Sequence, residues 1–212
     1  MRNLFVAGLV AVVACNLANA QVLGNGTPAT QDRVTAGFDG VTVAGALTVE
    51  IAVGPKTSVA ITGDANVVPL VETTVRDHRL YLRTRDSYQP KLPLRVRITT
   101  PTLTSLAVGG AGQVAARGLR GDRFALDASG AGRVALGGTA GALVLDARGA
   151  AVVDAAQLRA TDATVAASGA SQVAVTATRG LTVGASGAAR VTYGGGAAIT
   201  PAVAGAARVE RR

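Results

Sequence analysis

Ser129-Gly130-Ala131-Gly132-Arg133-Val134 is the stretch that decides the fold, because its pattern returns throughout the C-terminal half of the chain. The shared glycine of successive copies falls at Gly110, Gly130, Gly149, Gly169, Gly187 and Gly205. The steps between these glycines are 20, 19, 20, 18 and 18 residues. A near-constant step of this size is typical of a solenoid, in which each repeat buries its apolar face only against its neighbours.

Apolar and polar side chains alternate on both sides of each glycine corner, which is the pattern of a half-buried strand. Superposing the copies gives two apolar columns, predicted to form the core: Leu106, Leu126, Leu145, Val165 and Val183, then Val114, Val134, Val153, Val173, Val191 and Val209. The 27 glycines and only six aromatic residues suit a narrow interior. We therefore predict an all-β protein with a right-handed parallel β-helix over residues 103–212, built from rungs of about 19 residues.

The part of the chain before the repeats has no such period. Residues 21–36 are rich in Gly, Pro and Asn and are predicted to be a flexible lead-in. Residues 37–102 contain several alternating segments, such as Leu94-Arg95-Val96-Arg97-Ile98, and are predicted to form an N-terminal β-region that pairs onto the first rung or caps it.

The first twenty residues have the pattern of a secretory leader, with Arg2, an apolar run and the small-residue end Ala18-Asn19-Ala20. One interpretation is a signal peptide over residues 1–20, with a mature protein that begins at Gln21. The other is lipoprotein processing at Cys15, because Val12-Val13-Ala14-Cys15 is similar to a lipobox; only then is membrane attachment expected. Both interpretations place the protein outside the cytoplasm, in the periplasm or at the cell surface.

The run from Asn66 to Thr84, then Pro101-Thr102-Leu103 and the serial Ser-Gly-Ala-Gly motifs, resembles the bacterial head GIN domain family, whose members are described as candidate autotransporter adhesins. The resemblance covers roughly residues 37–209 and implies an exported β-solenoid. The resemblance implies no catalytic residues. The aspartate that usually follows the glycines in that family is absent, since Arg133 and its equivalents stand there, which argues against a cation site in this column.

These features favour a non-enzymatic envelope or cell-surface module of the binding or adhesion type. The formal net charge is +8, so anionic partners such as an envelope polysaccharide or lipid are expected. Export removes the chain from nucleic acid, which is therefore excluded as a partner. The predicted binding residues for an anionic polymer are Arg133, Arg190 and Arg208, in an outward column that also holds Gln113, Val152 and Gln172. The alternative interpretation of this column is a solvated face whose arginine stems cover the rung edges.

An enzyme that acts on polysaccharides is the alternative function, because Asp127 and Asp146 fall in one column on adjacent rungs, about 5 Å apart. Arg148 is expected to neutralise this pair if it has no catalytic role. His78 is the only histidine and is expected in a hairpin turn. No catalytic residues, metal site or cofactor are predicted.

Overall fold

The structure is a computed structural model, which describes residues 21–212. The two leader hypotheses, cleavage after Ala20 and processing at Cys15, concern residues outside this range. In the N-terminal part a 3-10 turn lies at Val68–Leu70, and the strands are β1 (Val22–Leu23), β2 (Pro28–Arg33), β3 (Gly40–Ala44), β4 (Thr48–Val53), β5 (Ser58–Asp64), β6 (Val71–Arg76), β7 (Arg79–Thr84), β8 (Tyr88–Gln89) and β9 (Arg95–Thr100).

The repeats supply the remaining strands, several of which run through two or more segments of one rung. They are β10 (Ser105–Gly110), β11 (Gln113–Leu119), β12 (Arg123–Gly130), β13 (Arg133–Ala147), β14 (Val152–Ala167), β15 (Gln172–Ala185), β16 (Arg190–Gly194), β17 (Ala198–Val203) and β18 (Arg208–Arg211). Within residues 21–212 no helix is long and apolar enough to cross a membrane.

Two parallel faces hold most of these strands. The first face has the order β7, β3, β10, β12, the C-terminal parts of β13, β14 and β15, then β17. The second face has the order β9, β4, β11, the N-terminal parts of β13, β14 and β15, then β16 and β18. The chain is therefore an all-β solenoid, as the repeat period predicts.

The two predicted apolar columns form the core. Register pairs Leu106 with Leu126, Leu126 with Leu145, and so on along the first face, and the valines align in the same way on the second face. Every member is at most 3% exposed except Val209, which lies on the last rung and is partly buried. Since each rung covers the apolar side chains of the next, burial of this core depends on stacking.

The glycine corners explain why the motif recurs. Gly130 has φ +88°, a left-handed conformation that a residue with a Cβ rarely adopts. A Cβ built there would lie 2.6 Å from the carbonyl oxygen of Gly110 on the preceding rung. The corner therefore requires glycine for two reasons: its backbone angle and the close approach of successive rungs.

The parallel stack extends beyond the repeats. β3 lies between β10 and β7, and β4 lies between β11 and β9, so residues 40–53 form a rung between two later segments of the chain. Antiparallel strands then cover that end: β6 pairs with β7, β5 with β9, and β2 with β5. The N-terminal β-region thus pairs onto the repeats and also caps them.

The segment predicted to be a flexible lead-in contains strands. β1 pairs with β8, and β2 pairs with β5 over six residues, from Pro28 to Arg33. Sequence reasoning missed these strands because β2 is mostly exposed and has no apolar alternation. Its backbone hydrogen bonds to β5, rather than apolar burial, hold it in place.

The opposite end of the solenoid is open in the part of the chain described. β17 pairs only with β15, and its inward positions are not covered by a further rung. Pro201 is the register partner of Val183, at the end of the first core column, but it is exposed. Val203 is 49% exposed.

A buried carboxylate fastens the N-terminal segment to the cap. Asp64 has no exposed surface, and its two oxygens accept backbone N–H bonds from Gly26 at 2.6 Å, Lys91 at 2.9 Å and Leu92 at 3.0 Å. Burial is the largest single influence and raises the pKa of this carboxyl. The three N–H donors and the Lys91 charge together outweigh burial, so the pKa of Asp64 lies below its usual range.

Because the folded pKa is lowered, Asp64 stabilises the protein above the unfolded pKa, near 3.9, and this contribution is lost as pH falls from there through the folded pKa. We expect Asp64→Asn to lower Tm at pH 7 by about 3 °C or more, because the amide NH₂ cannot accept the N–H bonds of Lys91 and Leu92. The gap between variant and wild type should narrow below about pH 4.

Thermal unfolding followed by circular dichroism between pH 3 and pH 7 measures both effects. Asp32→Asn is the matched control, because Asp32 is exposed on β2 and makes no side-chain hydrogen bond or ion pair within residues 21–212. A gap between Asp64→Asn and wild type that stayed constant over this pH range would contradict the assignment.

Candidate functional site

The predicted outward column on the second face is present in the structure. Register runs Gln113, Arg133, Val152, Gln172, Arg190, Arg208, with one residue from each successive rung. We call this set the arginine column. Its inward neighbours are the buried valines, so each of the three arginines projects away from the core and is exposed. Strand alternation and rung stacking together place the three guanidinium groups in line.

Spacing along the column follows from the sheet. Adjacent parallel strands lie about 4.8 Å apart, so Arg190 and Arg208 are direct neighbours and Arg133 is three rungs away, roughly 14 Å. No carboxylate within residues 21–212 lies within 4.0 Å of any of these three guanidinium groups. Two like charges on neighbouring strands repel each other, which an anionic ligand would relieve.

The outward column next to these arginines mixes small residues with carboxylates. Ala115, Ala135 and Ala174 lie there, together with Glu50, Asp154, Thr192 and Glu210. A shallow groove of about 330 Å³ lies beside Arg133 and is also lined by Glu50 and Asp154. The groove can accept an extended chain, and its charge is mixed.

One carboxylate lies between two arginines at the N-terminal end of the second face. Glu50 lies 3.7 Å from the Nη1 atom of Arg95 and 3.4 Å from the Nε atom of Arg97. This end therefore keeps one excess positive charge, but its arginines share a carboxylate, which the three arginines of the column lack within residues 21–212.

Asp127 and Asp146 are paired in register on the first face, as predicted. The guanidinium of Arg148 forms an ion pair with Asp146. Ala107, Ala166 and Gly184 are the nearest other residues of the column. The pair therefore lies among small residues on an outward face, with a cation beside one carboxylate.

His78 lies in the two-residue turn between β6 and β7, where it was expected. Both turn residues have positive φ, 49° at Asp77 and 57° at His78. Within the described range of 21–212, no three His, Cys, Asp or Glu side chains are grouped so as to hold a metal ion.

The same hairpin groups residues that sequence reasoning did not single out. Arg76 lies directly opposite Arg79, and Tyr81 lies on the same outward face. The two-residue turn could have indicated this grouping. Such a turn fixes the register of a hairpin, so the residues on either side of it form a cross-strand pair.

Together these features define a class of protein, a parallel β-solenoid whose polar and charged side chains lie mostly on its outer faces. Residues 37–197 match the family described as "Putative auto-transporter adhesin, head GIN domain". The match covers most of the chain, which therefore belongs to the head GIN domain family, as the sequence motifs suggested.

Solved structures show the same fold. A protein described as a "putative adhesin" from Bacteroides fragilis has a TM-score of 0.74 at 21% identity, with 90% of this chain and 100% of that one covered. One described as a "putative adhesin" from Parabacteroides merdae has a TM-score of 0.57 at 16% identity, with 91% and 99% covered. One described as a "putative lipid binding protein" from Parabacteroides distasonis has a TM-score of 0.56 at 18% identity, with 91% and 99% covered. No curated protein matches this chain.

Proposed function

We propose that this protein is a non-enzymatic binding module of the adhesion type, exported to the cell envelope or cell surface, and that its arginine column contacts an anionic polymer of the envelope. Membership of the head GIN domain family supports the adhesion-type role and the exported location. The observation that carries the ligand class is the alignment of Arg133, Arg190 and Arg208 on one face, with no carboxylate of residues 21–212 within 4.0 Å of them.

The polymer should bind as an extended chain. Its anionic groups would meet Arg190 and Arg208 on neighbouring rungs and Arg133 further along, and would have to be spaced to avoid Asp154 and Glu210 in the neighbouring column. Exposed ion pairs contribute about 0–1 kcal/mol each, so three contacts give weak binding that depends on salt. Weak contacts become useful when a repetitive polymer engages many of them together.

Catalysis by Asp127 and Asp146 has less support than binding. A retaining glycosidase places its two carboxylates on either side of the bond that it cleaves. Here both carboxylates lie side by side in one outward column, and that of Asp146 is already engaged in an ion pair with Arg148. We therefore propose no catalytic role for them.

Chromatography on immobilised polygalacturonate tests the proposal. Replacing Arg133, Arg190 and Arg208 together by Gln should weaken retention at low salt by about tenfold, since each lost contact contributes about 0.5 kcal/mol. Retention of wild type should fall as salt rises past about 0.15 M, where the screening length is about 8 Å.

Arg120, Arg123 and Arg159, each replaced by Gln, form the matched control. These arginines are exposed, make no ion pair within residues 21–212 and lie off the column, so this triple variant loses the same charge. Equal loss of retention by the two triple variants would mean a non-specific charge effect and would overturn the proposal. Co-sedimentation with anionic lipid vesicles, in place of retention by the polysaccharide, would reassign the ligand to lipid.

A further inference from the structure

The outward face of the β6–β7 hairpin carries two cations that directly oppose each other. Leu80 and Leu82 face the core and are at most 1% exposed, so their neighbours on β7, including Arg79 and Tyr81, face outward. Register pairs Arg76 with Arg79. Their backbones lie side by side, but the Arg79 side chain extends over β3 toward Ser105 on β10, so its guanidinium lies on the side of β7 away from β6.

Both arginines lack a counter-ion within the described part of the chain. No carboxylate within residues 21–212 lies within 4.0 Å of either guanidinium group. Arg79 instead donates to two neutral hydroxyls, Ser105 Oγ at 3.0 Å and Thr42 Oγ1 at 3.5 Å. Its charge is therefore held in place and remains uncompensated.

The strands beneath Arg79 are shaped to hold it. Gly40 lies between Arg79 and Ser105 in the register of the first face. A Cβ at Gly40 would lie 2.7 Å from Ser105 Oγ and 3.4 Å from the guanidinium carbon of Arg79. The missing side chain leaves room for the guanidinium to lie across two neighbouring strands, where it is half-buried and fixed in orientation. Arg79 therefore adds a fixed positive charge on the strand that also carries Tyr81.

Beside Arg76 lies a depression with an aromatic wall, and Arg79 is outside its lining. Its volume is about 550 Å³, and it is lined by Thr74, Arg76, Asp77, Tyr81 and Arg83. This volume is within the range of small-molecule sites. Tyr81 is 40% exposed, and its register partner across the hairpin is Thr74, so the phenol ring is accessible from the depression.

The other polar groups of the depression determine what kind of anion fits. Arg83 is paired with Glu72 at 2.7 Å and adds little net charge. The Asp77 carboxylate would repel a compact inorganic anion, but it accepts hydrogen bonds from hydroxyl groups. Thr74 supplies a further hydroxyl. A ligand that combines an anionic group, an apolar ring face and several hydroxyls satisfies all of these groups together.

We propose that this hairpin face is a binding site for an acidic sugar, a uronate unit, at the N-terminal end of the solenoid. Arg76 binds the carboxylate of the sugar, Tyr81 packs against the ring face, and Asp77 and Thr74 receive its hydroxyls. The site lies on the first face, whereas the arginine column lies on the second, so the two sites are independent of each other.

Titration with trigalacturonate, followed by NMR of the ¹⁵N-labelled protein, tests the site. Shifts should concentrate at the amides of the β6–β7 hairpin and of Thr42, with a dissociation constant in the range of about 0.1–10 mM that is expected for a small exposed site. Arg76→Gln should weaken binding roughly tenfold, because it removes a charged hydrogen-bond donor. Tyr81→Ala should weaken binding by a similar factor. Neutral galactotriose should produce no comparable shifts.

Arg117→Gln is the matched control, because Arg117 is exposed on β11 and its loss removes the same charge from the other face. Arg76 and Tyr81 are exposed, so their variants should fold; unchanged amide spectra away from the hairpin confirm this. Binding by Arg76→Gln as tight as by wild type, or equal shifts with the neutral sugar, would overturn the proposal. Repeating the titration with Arg133, Arg190 and Arg208 all changed to Gln keeps the two proposals separate, because the hairpin shifts should persist.

Discussion

Gly130→Ala should destabilise the protein by about 3 kcal/mol or more and lower Tm by roughly 6–12 °C. The left-handed conformation at φ +88° is unfavourable for alanine by about 1–2 kcal/mol. The new Cβ would also lie 2.6 Å from the carbonyl oxygen of Gly110, a backbone atom that cannot move without disturbing the adjacent rung. Thermal or urea unfolding followed by circular dichroism measures the loss.

Gly184→Ala is the matched control. Gly184 is an exposed strand glycine without positive φ, and a Cβ there would have its nearest neighbour 4.0 Å away. Its replacement should change stability by no more than about 0.5 kcal/mol. If both variants unfolded at the same temperature, the corner glycines would not be needed for stacking.

Leu181→Ala should destabilise the protein by about 3 kcal/mol, within the usual range of 2–5 kcal/mol for a buried leucine. Leu181 is 2% exposed, and its register partners are Ala163 on one side and Ile199 on the other. Because both neighbouring rungs are fixed by backbone hydrogen bonds, the structure cannot collapse freely into the cavity. Tm should fall by roughly 6–12 °C.

Ile199→Ala makes the comparison in the same column, one rung further along. Ile199 is only partly buried, since β17 has no further rung beyond it in the described chain. We expect the free energy of unfolding to fall by only about 1 kcal/mol, because the change removes less buried apolar surface than at Leu181. An equal loss at Leu181 and Ile199 would show that the end of the solenoid is covered in solution, and the description of an open end would be wrong.

Much of the repeat region could be predicted because a solenoid turns sequence period into spatial register. Once the shared glycine is aligned, each position of the repeat becomes one column, so Leu126 and Leu145 must stack, and Arg190 must lie beside Arg208. Alternation then decides which columns face inward. The core columns, the corners and the alignment of the arginine column follow from these two rules, and the register agrees with all of them.

The N-terminal part has no period, so its neighbours could not be aligned in this way. β3 stacks between β7 and β10, which are later segments of the chain, and nothing local in residues 40–44 specifies that order. The strand β2 was missed because its partner β5 lies about thirty residues away and its side chains are mostly exposed. Such pairing depends on which backbone edges remain free once the other rungs are stacked.

By itself, then, the sequence determined the solenoid, its corner glycines and the columns of its repeats, because each of these follows from local alternation and a constant step. Only the tertiary structure decided how the N-terminal strands cap the stack. It also placed the backbone N–H groups of Gly26, Lys91 and Leu92 on the buried carboxylate of Asp64. The hairpin site is of the same kind, since Arg79 meets Ser105 and Thr42 only when three distant segments stack. Contacts between segments far apart in an aperiodic sequence depend on the whole packing, and no local pattern records them.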